Sequence, residues 1–190
     1  GEIFFILCCD FKPIKFERVG DSAIGMDFGM KSYLTLSNGQ EIKSPEFLKQ
    51  NLKLIQSLNK AFSKKRKCSN NRKKALNKLQ KVHNDVFNKR TDFEWKLAHE
   101  LCKHNSFIAI EDLNLEAMKK LWGRKISDLS FSSFVNKLEQ VALKYNTIVQ
   151  KVDRYYASSK TCSCGVKNKE LKLSDREWAC SSCGTVHQRD

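Results

Sequence analysis

The chain has 190 residues, with 35 Lys and Arg against 21 Asp and Glu, for a net charge of +14. At 41% hydrophobic residues, with 8 Gly and 2 Pro, it can bury a core and is not a collagenous, linker-like or globally disordered sequence. No stretch approaches the roughly 20 apolar residues that span a bilayer, and a balance this basic points to a polyanionic partner, most often nucleic acid.

Residues 2–9 (EIFFILCC) are a short apolar run without the basic segment and cleavage site of a signal peptide. They read as a buried strand within residues 1–20, either an edge strand or the tail of a preceding domain. The chain opens at Gly1 rather than Met and closes at Asp190 inside a motif, so a fragment of a longer protein is expected. Residues 22–44 carry three strands in succession, SAIGMDFG, SYLTLS and QEIK. The Ser37-Asn38-Gly39 turn between the last two holds Asn-Gly, the strongest short hairpin signal.

Ser44-Pro45 reads as a helix start, with Ser as N-cap and Pro at the first helical position. Leu48, Leu52, Ile55, Leu58 and Phe62 follow at steps of three and four, until the polar break Cys68-Ser69-Asn70-Asn71. A second stripe of Ala75, Leu79, Val82, Val86, Phe93, Leu97 and Leu101 makes residues 45–105 a long helical hairpin. Residues 47–105 hold 16 Lys and Arg against 4 Asp and Glu, nearly all of the chain's excess charge. Lys64, Lys65, Arg66 and Lys67, then Arg72, Lys73 and Lys74, flank the turn. Such clusters suit phosphate backbones without reading sequence; a solvated polar face is the plain alternative.

Residues 107–111 (FIAIE) read as a buried strand. Residues 131–145 make an amphipathic helix through Phe134, Leu138, Val141 and Tyr145, and Thr147 to Val152 a further strand. Three strands, two helices, then strand, helix and strand imply an α/β fold, a mixed sheet with helices packed on it.

Three features carry chemistry. Asp27, within Gly25-Met26-Asp27-Phe28-Gly29, is an acid in an apolar strand. That is costly unless it meets a cation or hydrogen-bond donors, and flanking glycines permit close approach; a turn aspartate is the alternative. Glu111 and Asp112 end the second apolar strand, where sheets commonly present ligands; a helix-capping acidic turn is the alternative. Four of the eight cysteines form two pairs, Cys162-x-Cys164 and Cys180-x-x-Cys183, each followed by Gly165 or Gly184. Two such knuckles suit tetrahedral Zn²⁺, and clustered thiols in a basic chain argue for metal and a reducing, cytoplasmic setting. His187 is a further candidate ligand, although four cysteines already complete a structural site. Cys8 and Cys102 read as small core residues, His83, His99 and His104 as ordinary surface or core residues, and Trp95, Trp122 and Trp178 as packing.

Taken together, GMDFGMKSYLTLSNG at 25–39, IAIEDLNLEAM at 108–118, VDRYYASSKTCSCG at 152–165 and REWACSSCGTVHQRD at 176–190 resemble the TnpB (OrfB) proteins of insertion sequences. These are relatives of the compact type V CRISPR effector nucleases. The resemblance implies an RNase H-like (RuvC) nuclease core over 21–159 with the basic hairpin as an insertion. A zinc ribbon follows at 160–187, and the start of the last RuvC motif at 188–190. It implies that Asp27, Glu111 and Asp190 are the catalytic carboxylates and hold Mg²⁺ or Mn²⁺, with Asp190 following Arg189 as in the family's last motif. Asp112 is not a ligand by this match. Three converging carboxylates can hold two such ions about 3.5–4 Å apart, and hard oxygen ligands suit them.

The implied activity is RNA-guided DNA cleavage by phosphodiester hydrolysis, with guide RNA and target DNA as partners and no membrane. The hairpin is then expected to face the guide and its heteroduplex. Two departures stand out. The first knuckle is one residue shorter than the family's usual Cys-x-x-Cys, and the chain stops before the helix that follows the last Asp; Gln188 also replaces a usual acid. The alternatives are a non-catalytic nucleic-acid-binding zinc-ribbon module or repressor, and a transposition accessory protein. A strand-transferring transposase has less support, because Tyr155 and Tyr156 lack the histidine pair of a nicking enzyme.

Overall fold

The apolar alternation of residues 22–43 folds as a meander. β1 (Ser22–Phe28), β2 (Ser32–Leu36) and β3 (Glu41–Lys43) pair antiparallel in turn. The expected Asn38-Gly39 turn joins β2 to β3: Gly39 adopts φ +84°, where a side chain would be strained, and its N–H donates to Leu36 O at 2.9 Å. The structure, a computed structural model, describes residues 5–8, 14–112, 120, 123, 127–153, 156, 160–172, 175 and 177–188. The chain divides into two units, residues 1–151 and 152–190.

The first unit continues through α1 (Phe47–Ser63) and α2 (Asn70–His104), which runs directly into β4 (Asn105–Glu111). α3 (Phe131–Tyr145) then precedes β5 (Ile148–Val152). β4 lies parallel to β1, and the sheet order is β3-β2-β1-β4-β5. Ile24, Met26 and Phe28 of β1, Leu34 and Leu36 of β2, and Ile108 and Ile110 of β4 are buried. The end of α2 (Ala98, Leu101, Cys102) and the apolar stripe of α3 (Phe134, Leu138, Val141) join them in one core. Each fully buried Val, Leu, Ile, Phe or Met side chain among them contributes about 1.5–3 kcal/mol. Asp27 and Thr35 are exposed between these buried positions, and Glu111 is exposed after Ile110 at the end of β4.

Two ionic links fix the helices. Glu94, 1% exposed, accepts from Lys137 Nζ at 2.7 Å and Ser133 Oγ at 2.8 Å, tying α2 to α3. Asp128 accepts from the Leu48 and Lys49 amides, both at 3.2 Å, and from Arg90 at 3.0 Å. This alters the expected start of α1. Ser44 and Pro45 lie outside the helix, and Glu46 stands at the cap position with φ 46° and no side-chain cap. The acceptor that caps a helix has come from a distant carboxylate instead. At α2, Ser69 is the cap and accepts from Arg72 N–H at 3.2 Å.

The strand expected over residues 2–9 is not formed by residues 5–8, the stretch's described part. Phe5, Ile6 and Leu7 are 90%, 88% and 89% exposed, and no strand of the sheet pairs with them. An apolar run becomes a strand only where backbone partners receive it. Cys8 is likewise exposed rather than in the core. Cys102 is fully buried as expected, and burial pushes its thiol up to about 12.

The second unit is built on a short antiparallel hairpin, β6 (Glu177–Ala179) and β7 (Val186–Gln188), with Trp178 opposite His187. Cys162, Leu171, Trp178 and Cys180 form its small core. Among the described residues, no helix is long and apolar enough to cross a membrane.

Candidate functional site

In the parallel pairing of β1 with β4, Met26 lies beside Ile110. Side chains alternate along a strand, so these two enter the core and the next residues, Asp27 and Glu111, emerge together at the carboxyl ends of both strands. Gly25 and Ala109 lie behind them on the same face and are too small to screen it. Glu111, exposed but partly desolvated by its surroundings, is held above the usual carboxylate range first by that desolvation and then by the negative charge of Asp27. The second cause marks two acids close enough to repel, an arrangement that a shared cation relieves. Oxygen donors of this kind suit a hard divalent ion.

Beside Glu111 a cavity of about 180 Å³ is lined by Asp112, Ser132, Asn136 and Lys151, with Phe28 and Ile110 among its apolar walls. Lys151 also pairs with Glu139 at 2.8 Å. The third expected acid, Asp190, and Arg189 before it lie outside the described residues. The structure therefore brings together two of the three carboxylates expected from the sequence.

The cysteines converge in full. Cys162 Sγ lies 3.4 Å from Cys183 Sγ, Cys164 Sγ lies 3.6 Å from Cys180 Sγ, and all four sulfurs are within 4.8 Å of one another. Four sulfurs about 2.3 Å from one Zn²⁺ would stand about 3.8 Å apart, so the donor set and its spacing fit. Cys183 is drawn down to about 6 by hydrogen bonds from Thr185, and Cys180 is also lowered by the amides of Cys183 and Ser182. Cys164 is pushed up to about 12 by its sulfur neighbours and burial, against the amide of Val166. Crowded thiols that lose protons unequally are what a cation's charge resolves. His187 reaches the cluster at one sulfur, with Nε2 at 3.0 Å from Cys162 Sγ.

The basic hairpin is less uniform than its sequence. Lys64, Lys65, Arg66, Lys67, Lys73 and Lys74 are exposed. Arg72 is half-buried; its guanidinium donates to Lys65 O at 3.1 Å and lies 4.0 Å over the Phe62 ring. It closes the turn, while the other six present charge to solvent. Sequence reasoning did not single out Asn136, Lys151 or Asp128, since isolated polar residues on helices and strands carry no signal until the sheet is assembled around them.

The OrfB_IS605 family, described as a probable transposase, matches residues 7–121, and the Cas12f1-like TNB domain matches residues 131–190. The chain belongs to the OrfB_IS605, or TnpB, family. A Streptomyces pristinaespiralis protein, provisionally named an RNA-guided DNA endonuclease, is 36% identical over all of this chain and 48% of its own length. TnpB-like protein L79 of Acanthamoeba polyphaga mimivirus is 33% identical over 89% of this chain and 35% of its own. InsQ of Escherichia coli K12, provisionally named in the same way, is 28% identical over 84% of this chain and 44% of its own. The chain thus spans half or less of the lengths of these relatives. A solved structure, the cryo-EM structure of a Cas12f1-sgRNA-target DNA complex, matches 88% of this TnpB-family chain and 46% of its own. Its TM-score is 0.52 at 18% identity, a likeness of fold.

Proposed function

We propose that this chain is the nuclease portion of a TnpB-type RNA-guided DNA endonuclease, hydrolysing DNA phosphodiesters with divalent ions held by carboxylates. The observation that carries this reading is the emergence of Asp27 and Glu111 side by side at the ends of two parallel strands, electrostatically coupled. The sheet order, with three antiparallel strands and a fourth parallel to the first, supports a RuvC-like core of the RNase H type. Asp190 is the third carboxylate by family resemblance. Mg²⁺ or Mn²⁺ bound there would neutralise phosphate charge and favour attack on phosphorus. This chain's own residues would supply the acids that hold the ion, and Lys151 and Asn136 line the cavity beside Glu111.

The four cysteines would hold Zn²⁺ in a structural ribbon. Lys64, Lys65, Arg66, Lys67, Lys73 and Lys74 would bear on the phosphates of guide RNA and target DNA, with Arg72 shaping the turn that presents them. Contacts of that kind carry no sequence information, and base pairing to the guide would choose the target.

The test uses the full-length parent protein, purified with the RNA it carries. DNA matching that RNA should be cut in Mg²⁺, and cutting should disappear with Glu111→Gln or with removal of the RNA. RNA bound without any cutting would contradict the nuclease reading and leave a binding or repressor role.

A further inference from the structure

The two knuckles of the cysteine cluster differ by one residue, and their backbones absorb the difference unequally. In the longer one, Cys180-Ser181-Ser182-Cys183-Gly184, the Gly184 N–H donates to Cys180 O at 2.9 Å. This leaves the three amides before it, those of Ser181, Ser182 and Cys183, uncommitted to that carbonyl. In the shorter one, Cys162-Ser163-Cys164-Gly165, the Gly165 N–H makes the equivalent bond to Cys162 O at 2.8 Å. Counted from the first cysteine, that amide is the third in the short knuckle. In the long knuckle that bond is made by the fourth amide, Gly184, and the third, Cys183, is left over. The short knuckle therefore has one N–H fewer to offer the Cys162 sulfur.

His187 stands where a donor is wanted, its Nε2 3.0 Å from Cys162 Sγ. The ring is held by its cross-strand partner Trp178, with centroids 4.8 Å apart and planes at 31°. Cys162 is 3% exposed, so water is poorly placed to serve as the donor. Four thiolates around a divalent cation leave excess negative charge, and N–H donors to the sulfurs spread it.

We propose that His187 is a positioning residue of the metal centre, outside the ligand set, whose Nε2–H donates to the Cys162 thiolate in place of the amide that the shortened knuckle has lost. The inference rests on the zinc reading of the four cysteines.

The test is made in the full chain. Zn²⁺ affinity is measured by competition with a chromophoric chelator, and the ligand set by the visible spectrum after Co²⁺ substitution. The wild type should bind one metal with the spectrum of four thiolates. His187→Ala should lower Zn²⁺ affinity about 10–100-fold and keep that spectrum, while His187→Gln, which retains an N–H donor, should recover part of the loss. Inserting a glycine between Ser163 and Cys164 returns the missing amide, and His187→Ala in that background should produce a much smaller loss. A wild type that binds neither metal overturns both the proposal and the zinc reading. Unchanged affinity in His187→Ala, an equal loss in the lengthened knuckle, or a nitrogen ligand that vanishes with His187 overturns the proposal and leaves a metal site standing.

Discussion

The cysteine cluster and the carboxylate pair both gather like groups, yet they are assembled by different means. The thiols come from two tight turns, each closed by a glycine at positive φ whose N–H bonds back to the carbonyl of the first cysteine. Local chain geometry forms each pair, the fold of the small second unit brings Cys162 to Cys183 and Cys164 to Cys180, and one residue can be lost from a turn without scattering the sulfurs. Asp27 and Glu111 have no local link. They meet because β1 and β4 pair in one register, which is set by Met26 and Ile110 entering the core. A slip of one residue would send Glu111 into the core and Ile110 into solvent. The first site depends on two turns and the small core that joins them, and the second on the whole α/β unit.

Variants can pull these dependencies apart. The largest effect is expected from Cys180→Ser, which removes a ligand from a cluster whose zinc affinity would be worth about 10–16 kcal/mol in a comparable peptide. Zinc content should fall to background, while the helical far-UV signal stands, because α1, α2 and α3 all lie between residues 47 and 145. A collapse of that signal would show that the ribbon supports the sheet. Next comes Lys137→Ala, which strands the buried Glu94 carboxylate. It should cost about 3–5 kcal/mol in urea unfolding followed through the helices, with zinc affinity unchanged.

The smallest effect is expected at the acids themselves. Glu111→Gln removes repulsion from Asp27 and should raise metal-free stability at pH 8 by about 0.2–1 kcal/mol. Because the fold raises the Glu111 pKa, the wild type gains stability as pH falls through that raised value and loses it as pH rises. The variant should lack this slope, and divalent ions should stabilise only the wild type. A variant less stable than wild type in the absence of metal would make the acid a structural residue.

Much of this was legible beforehand. The Asn38-Gly39 hairpin, the helix over residues 131–145 and the basic hairpin follow from turn chemistry and periodicity, and four cysteines in two spaced pairs mark a cluster that could hold a metal ion. What could not be read was whatever depends on partners far along the chain. Asp128 caps α1 from across the fold, so the nearer Ser44 looked like the cap. Glu94 lies beside the apolar Phe93 and Leu97 positions, and its counter-charge is on α3, where Ser133 and Lys137 stand one turn apart. The apolar run at residues 2–9 had the composition of a strand, but residues 5–8 have no strand beside them. For His187 there was a signal, the shortened knuckle, whose meaning needed the backbone bonds.

The most direct measurement is Mn²⁺ binding to this chain, followed by the loss of the free-ion EPR signal. The expected result is a site abolished by Asp27→Asn and by Glu111→Gln, and retained in Asp112→Asn. Binding that survives Glu111→Gln, or that disappears equally with Asp112→Asn, would contradict the claim that Asp27 and Glu111 form one metal site.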